Sequence, residues 1–183
     1  MYIASQIIET IALVITLYSY HLKTKKSIFK GMCVANILDI THYFFLNAYS
    51  GLVTKVMALV RNIFILKKED NKKLKSNIFL ILFIIVYIVL AFITFKNIYS
   101  TLPFVAAIIY MIVVWNGNEL QIKKIAFLCY FFWLVYNISV FSVMGIVSNV
   151  IALISTYIAY FNYKKENNWL WKNVLLLQHY QTI

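Results

Sequence analysis

The sequence predicts an all-α integral membrane protein with seven transmembrane helices, in which two parallel triple-helix repeats are joined by a linker helix, helix four. Three observations lead to this prediction. The 183-residue chain is 63% hydrophobic, with a mean hydropathy of +0.80. Apolar runs of membrane-spanning length recur along it with only short polar breaks between them. A segment that begins at Gly51 returns, in similar form, at Gly145.

Each apolar run is close to the ~20 residues that cross a hydrocarbon core. The seven runs cover residues 2–22, 27–47, 51–66, 77–95, 101–115, 125–141 and 145–163. The first lacks a basic start and a small-residue cleavage site, so we expect a retained helix. The predicted organisation is a first repeat (1–66), a basic loop with the linker helix (67–100), a second repeat (101–163) and a cytoplasmic or interfacial tail (164–183).

The lysines predict the orientation in the membrane. Threading seven spans in alternation puts most of them on one side: Lys23, Lys25, Lys26, Lys30, Lys67, Lys68, Lys72, Lys73, Lys75, Lys123, Lys124, Lys164, Lys165 and Lys172. The other side receives only Lys96. The positive-inside rule then predicts a multi-pass protein of the bacterial inner membrane, with its N-terminus outside and its C-terminus in the cytoplasm. We therefore expect the lysines that give the net charge of +11 to contact lipid head groups and not nucleic acid.

An internal repeat is visible without gaps. Residues 51–60 align with residues 145–154 at an offset of 94, with five identical pairs in ten. The same offset lays the first and second runs on the fifth and sixth. Because it spans four helices, the two halves are expected to point the same way. The run at 77–95 is the extra crossing, and its almost continuous Ile, Leu, Val and Phe predict a helix that faces lipid.

Several short motifs resemble a known family. They are Gln6, His42, the turn at 46–51, the Arg61-Asn62 pair and the Trp133-Leu134-Val135-Tyr136-Asn137 segment. The chain resembles the YgjV-like bacterial inner-membrane proteins, within the broader SWEET/PnuC-like class of three-plus-one-plus-three helix transporters. The resemblance covers the chain to about residue 163 and implies the fold more strongly than a substrate. SWEET-type proteins use prolines within bundle helices as hinges, whereas Pro103 here stands at a helix start.

Ionisable residues at membrane depth are functional candidates, because burying them is costly. Counting along the runs puts Asp39 and Arg61 at similar depths on consecutive antiparallel helices, so we expect them to form an ion pair or to share a polar partner. A second pair is expected between Glu9 and Lys55. His42 follows Asp39 by three residues and shares its helix face. The alternative is that such pairs only fix the helix register.

The offset of 94 sets aromatic groups against the charged ones, since Asp39 meets Trp133 and His42 meets Tyr136. We therefore predict a solute site, for a small polar solute with an apolar or ring face, between the two repeats. Its residues are Asp39, His42, Arg61, Trp133, Tyr136 and Asn137. Trp133 and Tyr136 also fit plain packing or interface anchors, and His42 fits a proton relay or a hydrogen-bonded structural role.

These features favour a small-solute membrane transporter, either a facilitator or proton-coupled. The alternatives are a membrane sensor or partner-binding protein with the same fold, and a structural membrane subunit. No enzyme is expected, because nucleotide-binding glycine loops, HExxH and Gly-x-Ser-x-Gly motifs are missing from the sequence. No cofactor or metal is expected, and Cys33 and Cys129 are predicted to be buried thiols. Besides membrane lipid and the solute, a homo-oligomer or a membrane protein partner stays open. Trp169 and Trp171 suggest that the tail lies at the interface, with a loosely ordered tail as the alternative.

Overall fold

The computed structural model describes residues 1–20, 25–116, 119–158 and 161. Within those ranges the chain folds into seven α-helices and two short 3-10 helices, at Lys72–Lys75 and Ile98–Thr101, and contains no strand. The α-helices are α1 Tyr2–Tyr20, α2 Lys25–Phe45, α3 Tyr49–Asp70, α4 Asn77–Ile93, α5 Leu102–Asn116, α6 Glu119–Ser139 and α7 Val143–Ile158. The seven predicted helices are thus confirmed. The predicted interfacial tail lies outside the described residues.

Three segments are both long and apolar enough to cross a membrane by length and composition: Tyr2–Ser19, Tyr49–Lys68 and Ile98–Trp115. Three shorter helices are also apolar: Asn77–Ile93, Lys124–Ser139 and Val143–Ile158. The remaining helix, α2, has lysines in its first two turns and Asp39 further along, which lowers its mean hydropathy. The composition of the helices therefore fits a membrane protein, while their full set of crossings stays a prediction.

The helices pack mainly against their neighbours in sequence. Helix α2 packs between α1 and α3, α6 packs against α5, and α3 also contacts α5. Helix α4 lies beside α3 and α5, where Tyr87 is completely buried against Phe104 and Ala107. Much of the rest of α4 is exposed apolar surface, for example Ile78 and Phe92. That surface suits a helix that faces lipid. Pro103 lies in the first turn of α5, where its missing N–H costs nothing.

Two turns with the same backbone geometry join α2 to α3 and α6 to α7. Each preceding helix ends with a residue in the left-handed conformation, Asn47 or Phe141, both at φ 53°. Equivalent Schellman-type hydrogen bonds close both turns, Ala48 N to Tyr43 O and Asn47 N to Phe44 O in one, Ser142 N to Asn137 O and Phe141 N to Ile138 O in the other. The two sets of residues are related by the offset of 94 found in the sequence.

The predicted orientation is testable with single cysteines at exposed positions. Ile98 is 69% exposed near the predicted outer side, and Lys75 is exposed on the predicted cytoplasmic side. We expect Ile98→Cys to react with an impermeant thiol reagent added to intact cells, and Lys75→Cys to react only after the cells are opened. The control is the parent chain, which reports any reaction of Cys33 and Cys129. Labelling of Lys75→Cys in intact cells would reverse the orientation.

Candidate functional site

Two cavities lie inside the helix bundle. The first, of about 160 Å³, is lined mainly by α2, α3, α5 and α6. The second, of about 130 Å³, is lined mainly by α1, α2, α6 and α7. Five residues line both: Thr16, Asp39, Lys55, Tyr130 and Trp133. The two cavities are therefore neighbours that share one group of side chains.

An ion pair lies at this shared boundary. The ammonium nitrogen of Lys55 donates to Asp39 Oδ2 at 2.6 Å and lies 4.7 Å from the centroid of the Trp133 ring. Asp39 is only 7% exposed, and the side chain of Lys55 is 23% exposed. Each charge is costly to bury alone, so the pairing is what allows both to lie inside the bundle. The face of Trp133 adds a favourable contact to the cation.

The expected Asp39–Arg61 pair is wrong, because Asp39 pairs with Lys55. Asp39 comes six residues before the end of α2, and Lys55 comes six residues after the start of α3. Both therefore lie ~9 Å from the turn that joins these antiparallel helices, whereas Arg61 lies ~18 Å from it. The expected Glu9–Lys55 pair is also wrong, since among the described residues Lys55 forms its ion pair with Asp39 and the basic side chain nearest to Glu9 is that of His42.

Arg61 lines the first cavity and is 7% exposed. Its Nε and Nη2 both donate to Asn62 Oδ1 at 3.2 Å, and its guanidinium carbon lies 4.9 Å from the centroid of the Tyr110 ring. Small side chains provide the space in front of it: Ala35, Ala58, Ala106, Ala107 and Ala126. The first cavity thus combines charged, amide and aromatic groups with an alanine-lined wall.

His42 lies outside both cavities, completely buried between α1 and the second turn. Its Nδ1 is 2.9 Å from Ser5 O, its Nε2 is 2.9 Å from Ser142 Oγ, and the amide of Gly145 donates to that same hydroxyl oxygen at 3.1 Å. One tautomer of His42 satisfies this whole series of hydrogen bonds: Nδ1–H donates to Ser5 O, and Nε2 accepts from the hydroxyl of Ser142. A neutral His42 therefore fits this site.

Tyr43, Tyr136 and Asn137 close the same end of the bundle. Tyr43 donates to Asn137 Oδ1 at 2.9 Å, and the hydroxyl of Tyr136 accepts from the amide of Gly51 at 2.8 Å. A Cβ at Gly51 would lie 2.9 Å from both tyrosine rings, so only glycine lets the backbone approach this closely. We call His42, Tyr43, Tyr136, Asn137 and the turns at 46–48 and 140–142 the turn layer.

Glu9 lines the second cavity and is 7% exposed. Its Oε2 is 3.9 Å from His42 Nε2, and within the described part of the chain this oxygen accepts no hydrogen bond. At 3.9 Å this oxygen is too far from Nε2 for a direct hydrogen bond, so Glu9 and His42 are neighbours without one. Glu9 is thus a buried acid of the second cavity, whereas Arg61 lines the first.

A model of the bacterial inner membrane protein family Imp-YgjV matches residues 3–167. The chain belongs to this family. No curated protein matches it, and no solved structure matches it. Membership of the Imp-YgjV family confirms the YgjV-like part of the predicted resemblance and the bacterial inner membrane as the location. Family membership does not confirm the predicted resemblance to the SWEET/PnuC-like class.

In this Imp-YgjV protein the six predicted site residues fall into two groups. Asp39, Arg61 and Trp133 line the first cavity. His42, Tyr136 and Asn137 lie in the turn layer and line neither cavity. One common solute site for all six stays a prediction, and the geometry brings only the first three to one cavity.

Sequence reasoning left Lys55, Asn36 and Asn62 out of the predicted site, although all three line the first cavity. The alanines that interrupt these helices, which are otherwise rich in Ile, Leu, Val and Phe, are only a weak signal, because each alone is an ordinary helical residue. Among the described residues no three His, Cys, Asp or Glu side chains converge as metal ligands. Cys33 and Cys129 are free thiols. Cys129 is buried as predicted and donates to Ala106 O at 3.3 Å, whereas the prediction of a buried Cys33 is wrong, because its side chain is only half-buried.

Proposed function

We propose that this protein is a small-solute transporter, a facilitator or proton-coupled, whose path runs between two parallel triple-helix repeats. One observation carries the proposal: the two cavities are lined by side chains that are 94 positions apart. Helix α3 contributes Thr54, Lys55, Ala58 and Arg61 to the first cavity, and α7 contributes Ser148, Asn149, Ala152 and Ser155 to the second. Related cavities on the two sides of a repeat interface are typical of transporters built from duplicated halves.

The other helices support the same relation. Ala107 and Tyr110 of α5 line the first cavity, and their counterparts at the offset of 94, Leu13 and Thr16 of α1, line the second. Tyr43 and its counterpart Asn137 are hydrogen-bonded to each other. A contact between equivalent groups is what a nearby two-fold axis would produce, so this bond supports such an axis. A pseudo-two-fold axis between α2 and α6 accounts for both facts.

The turn layer closes one end of this path, at the predicted outer side. Tyr43, Ala48 and Tyr136 are buried together there, between 2% and 6% exposed. The first cavity extends from Asp39 past Arg61, toward the predicted cytoplasmic ends of the helices. The conformation is therefore that of a transporter closed to the outside, and the opposite state requires α2 and α6 to separate in the turn layer.

Uptake into sealed proteoliposomes tests the proposal. The panel includes nucleosides, vitamins, sugars and small organic acids, with protein-free liposomes as the blank. We expect saturable uptake of at least one solute class. Saturable binding without uptake would instead favour a sensor, and neither binding nor uptake would favour a structural subunit.

Trp133→Ala is expected to lower the initial uptake rate about tenfold, since ~1–2 kcal/mol of aromatic and cation–π contact is lost where the cavities meet. Rates are normalised to the folded fraction. Trp115→Ala is the matched control, because Trp115 packs on Phe64 and bonds Asn77 away from both cavities. Equal losses in the two variants would assign Trp133 to packing.

A further inference from the structure

The first cavity has an excess of positive charge. It is lined by one acid, Asp39, and by two bases, Lys55 and Arg61. The carboxylate of Asp39 is already paired with Lys55 at 2.6 Å. Glu9 lines the other cavity, and in the described part of the chain it forms no ion pair with Arg61. One positive charge, that of Arg61, is left over in this cavity.

Arg61 has no acidic partner among the residues that the structure describes. It is 7% exposed, and its hydrogen bonds go to one neutral acceptor, Asn62 Oδ1. A guanidinium has five N–H donors in a fork that matches a carboxylate, and only those of Nε and Nη2 are engaged. A buried cation at membrane depth without a counter-ion is strongly disfavoured. The ligand of the cavity is therefore expected to supply the negative charge.

The size and the walls of the cavity limit that ligand further. A volume of about 160 Å³ is close to that of engineered cavities that hold one benzene molecule. Tyr110 and Trp133 line the cavity with aromatic rings, each with a cation over one face, and the small side chains of Ala58 and Ala107 leave room beside them. A flat molecule can therefore stack on the rings while its charged group reaches Arg61.

We propose that the first cavity binds a small organic carboxylate, with Arg61 as the residue that holds its carboxylate group. This inference rests on the proposed transport function and names its substrate class. Inorganic anions share part of the chemistry, but they make no use of the aromatic wall. The carboxylate with a ring is thus the ligand that engages both halves of the site.

Binding of benzoate to the purified full-length chain tests the inference, by calorimetry in chloride-free buffer. Benzamide and benzylamine have the same ring without the negative charge, and chloride and inorganic phosphate have the charge without the ring. We expect saturable benzoate binding and at least tenfold weaker binding of each of the other four. The proposal is overturned, on the wild-type protein alone, if benzoate binding does not saturate or if benzoate binds no better than benzamide or phosphate.

Arg61→Gln is expected to weaken benzoate binding about 10- to 100-fold, the loss typical of a charge-assisted hydrogen bond. Arg61→Lys keeps the charge but loses the fork, and we expect an intermediate loss. Lys68→Gln is the control: it removes a cation from the same helix that lies 3.3 Å over the Trp115 ring, away from the cavity, and benzoate affinity should stay within about twofold. Equal benzoate affinity in wild type and Arg61→Gln contradicts the assignment.

The uptake panel separates this inference from the proposed function. Uptake of neutral or cationic solutes that is unaffected by Arg61→Gln would overturn the carboxylate site and leave transport standing. Benzoate binding that depends on Arg61, together with no uptake of any solute, would overturn transport and leave the anion site standing.

Discussion

Replacing Asp39 with Asn is expected to lower the free energy of unfolding by about 3–5 kcal/mol, because it leaves the Lys55 ammonium inside the bundle without its counter-ion. Lys55→Met should have a similar cost, since it leaves the Asp39 carboxylate alone. The double variant should cost less than the sum of the two, because no unpaired charge remains. Unfolding of the purified protein in detergent, followed by circular dichroism against added denaturant, measures all three.

Two further variants make this cycle decisive. Lys68→Met removes a cation that lies over the Trp115 ring and should cost ~1 kcal/mol or less. Asp39→Asn combined with Arg61→Leu should be close to additive, because Arg61 bonds Asn62 and not Asp39. Additive effects of Asp39→Asn and Lys55→Met would contradict the pair at the boundary of the two cavities.

The pairing of Asp39 shows which part of the site the sequence could predict. Their positions within apolar runs identified Asp39, Lys55 and Arg61 as candidates, and all three line the first cavity. Depths counted from the two opposite ends of uncertain apolar runs led to the wrong partner. Counting from the shared turn at 46–48 puts Lys55 level with Asp39. In two antiparallel helices joined by a short turn, residues equally far from that turn lie side by side.

The helices were predictable because the hydrocarbon core sets both their length and their composition. The observed helix ends differ from the predicted ones by a few residues. Helix α3, for example, continues past the predicted apolar run to Asp70. The turn at Phe141 carried no such signal. Asn47 is typical of the left-handed conformation, but Phe is not, and only the backbone hydrogen bonds around Phe141 reveal the equivalent turn.

The cavities were not predictable, because they depend on which helix faces meet. Ala35, Ala58 and Ala106 belong to three different helices, and each alone is an ordinary helical residue. Space appears only where these small side chains face one another. Periodicity shows which face of a helix is apolar, but in a membrane both lipid-facing and buried faces are apolar, so it does not show which helices pack together.

The placement of His42 was missed for a related reason. A spacing of three puts His42 on the same helix face as Asp39, but it also moves the ring ~4.5 Å along the axis, from the cavity into the turn layer. There it connects Ser5 of α1 with Ser142 of the second turn. This geometry favours a hydrogen-bonded structural histidine over a proton relay.

His42→Ala is accordingly expected to destabilise the protein by about 3–5 kcal/mol. The change empties a completely buried site and leaves Ser5 O and the hydroxyl of Ser142 without their partner. Tyr136→Phe is the matched comparison, because Tyr136 occupies the position 94 residues further on. It should cost only ~1–2 kcal/mol, since the ring stays and only the hydroxyl's hydrogen bonds are lost, the one from the Gly51 amide and the longer one to Ala48 O.

Uptake per folded molecule decides between the structural role and the relay. If His42 only holds the turn layer together, the folded fraction of His42→Ala should keep the pH dependence of uptake seen in the wild type, with reduced stability as the main change. If His42→Ala instead keeps native stability but its uptake no longer responds to pH, His42 lies in the proton path. A proton entering at His42 would bind Nε2, which would then donate to Ser142 Oγ, so the Ser142 hydroxyl would have to turn its own hydrogen away.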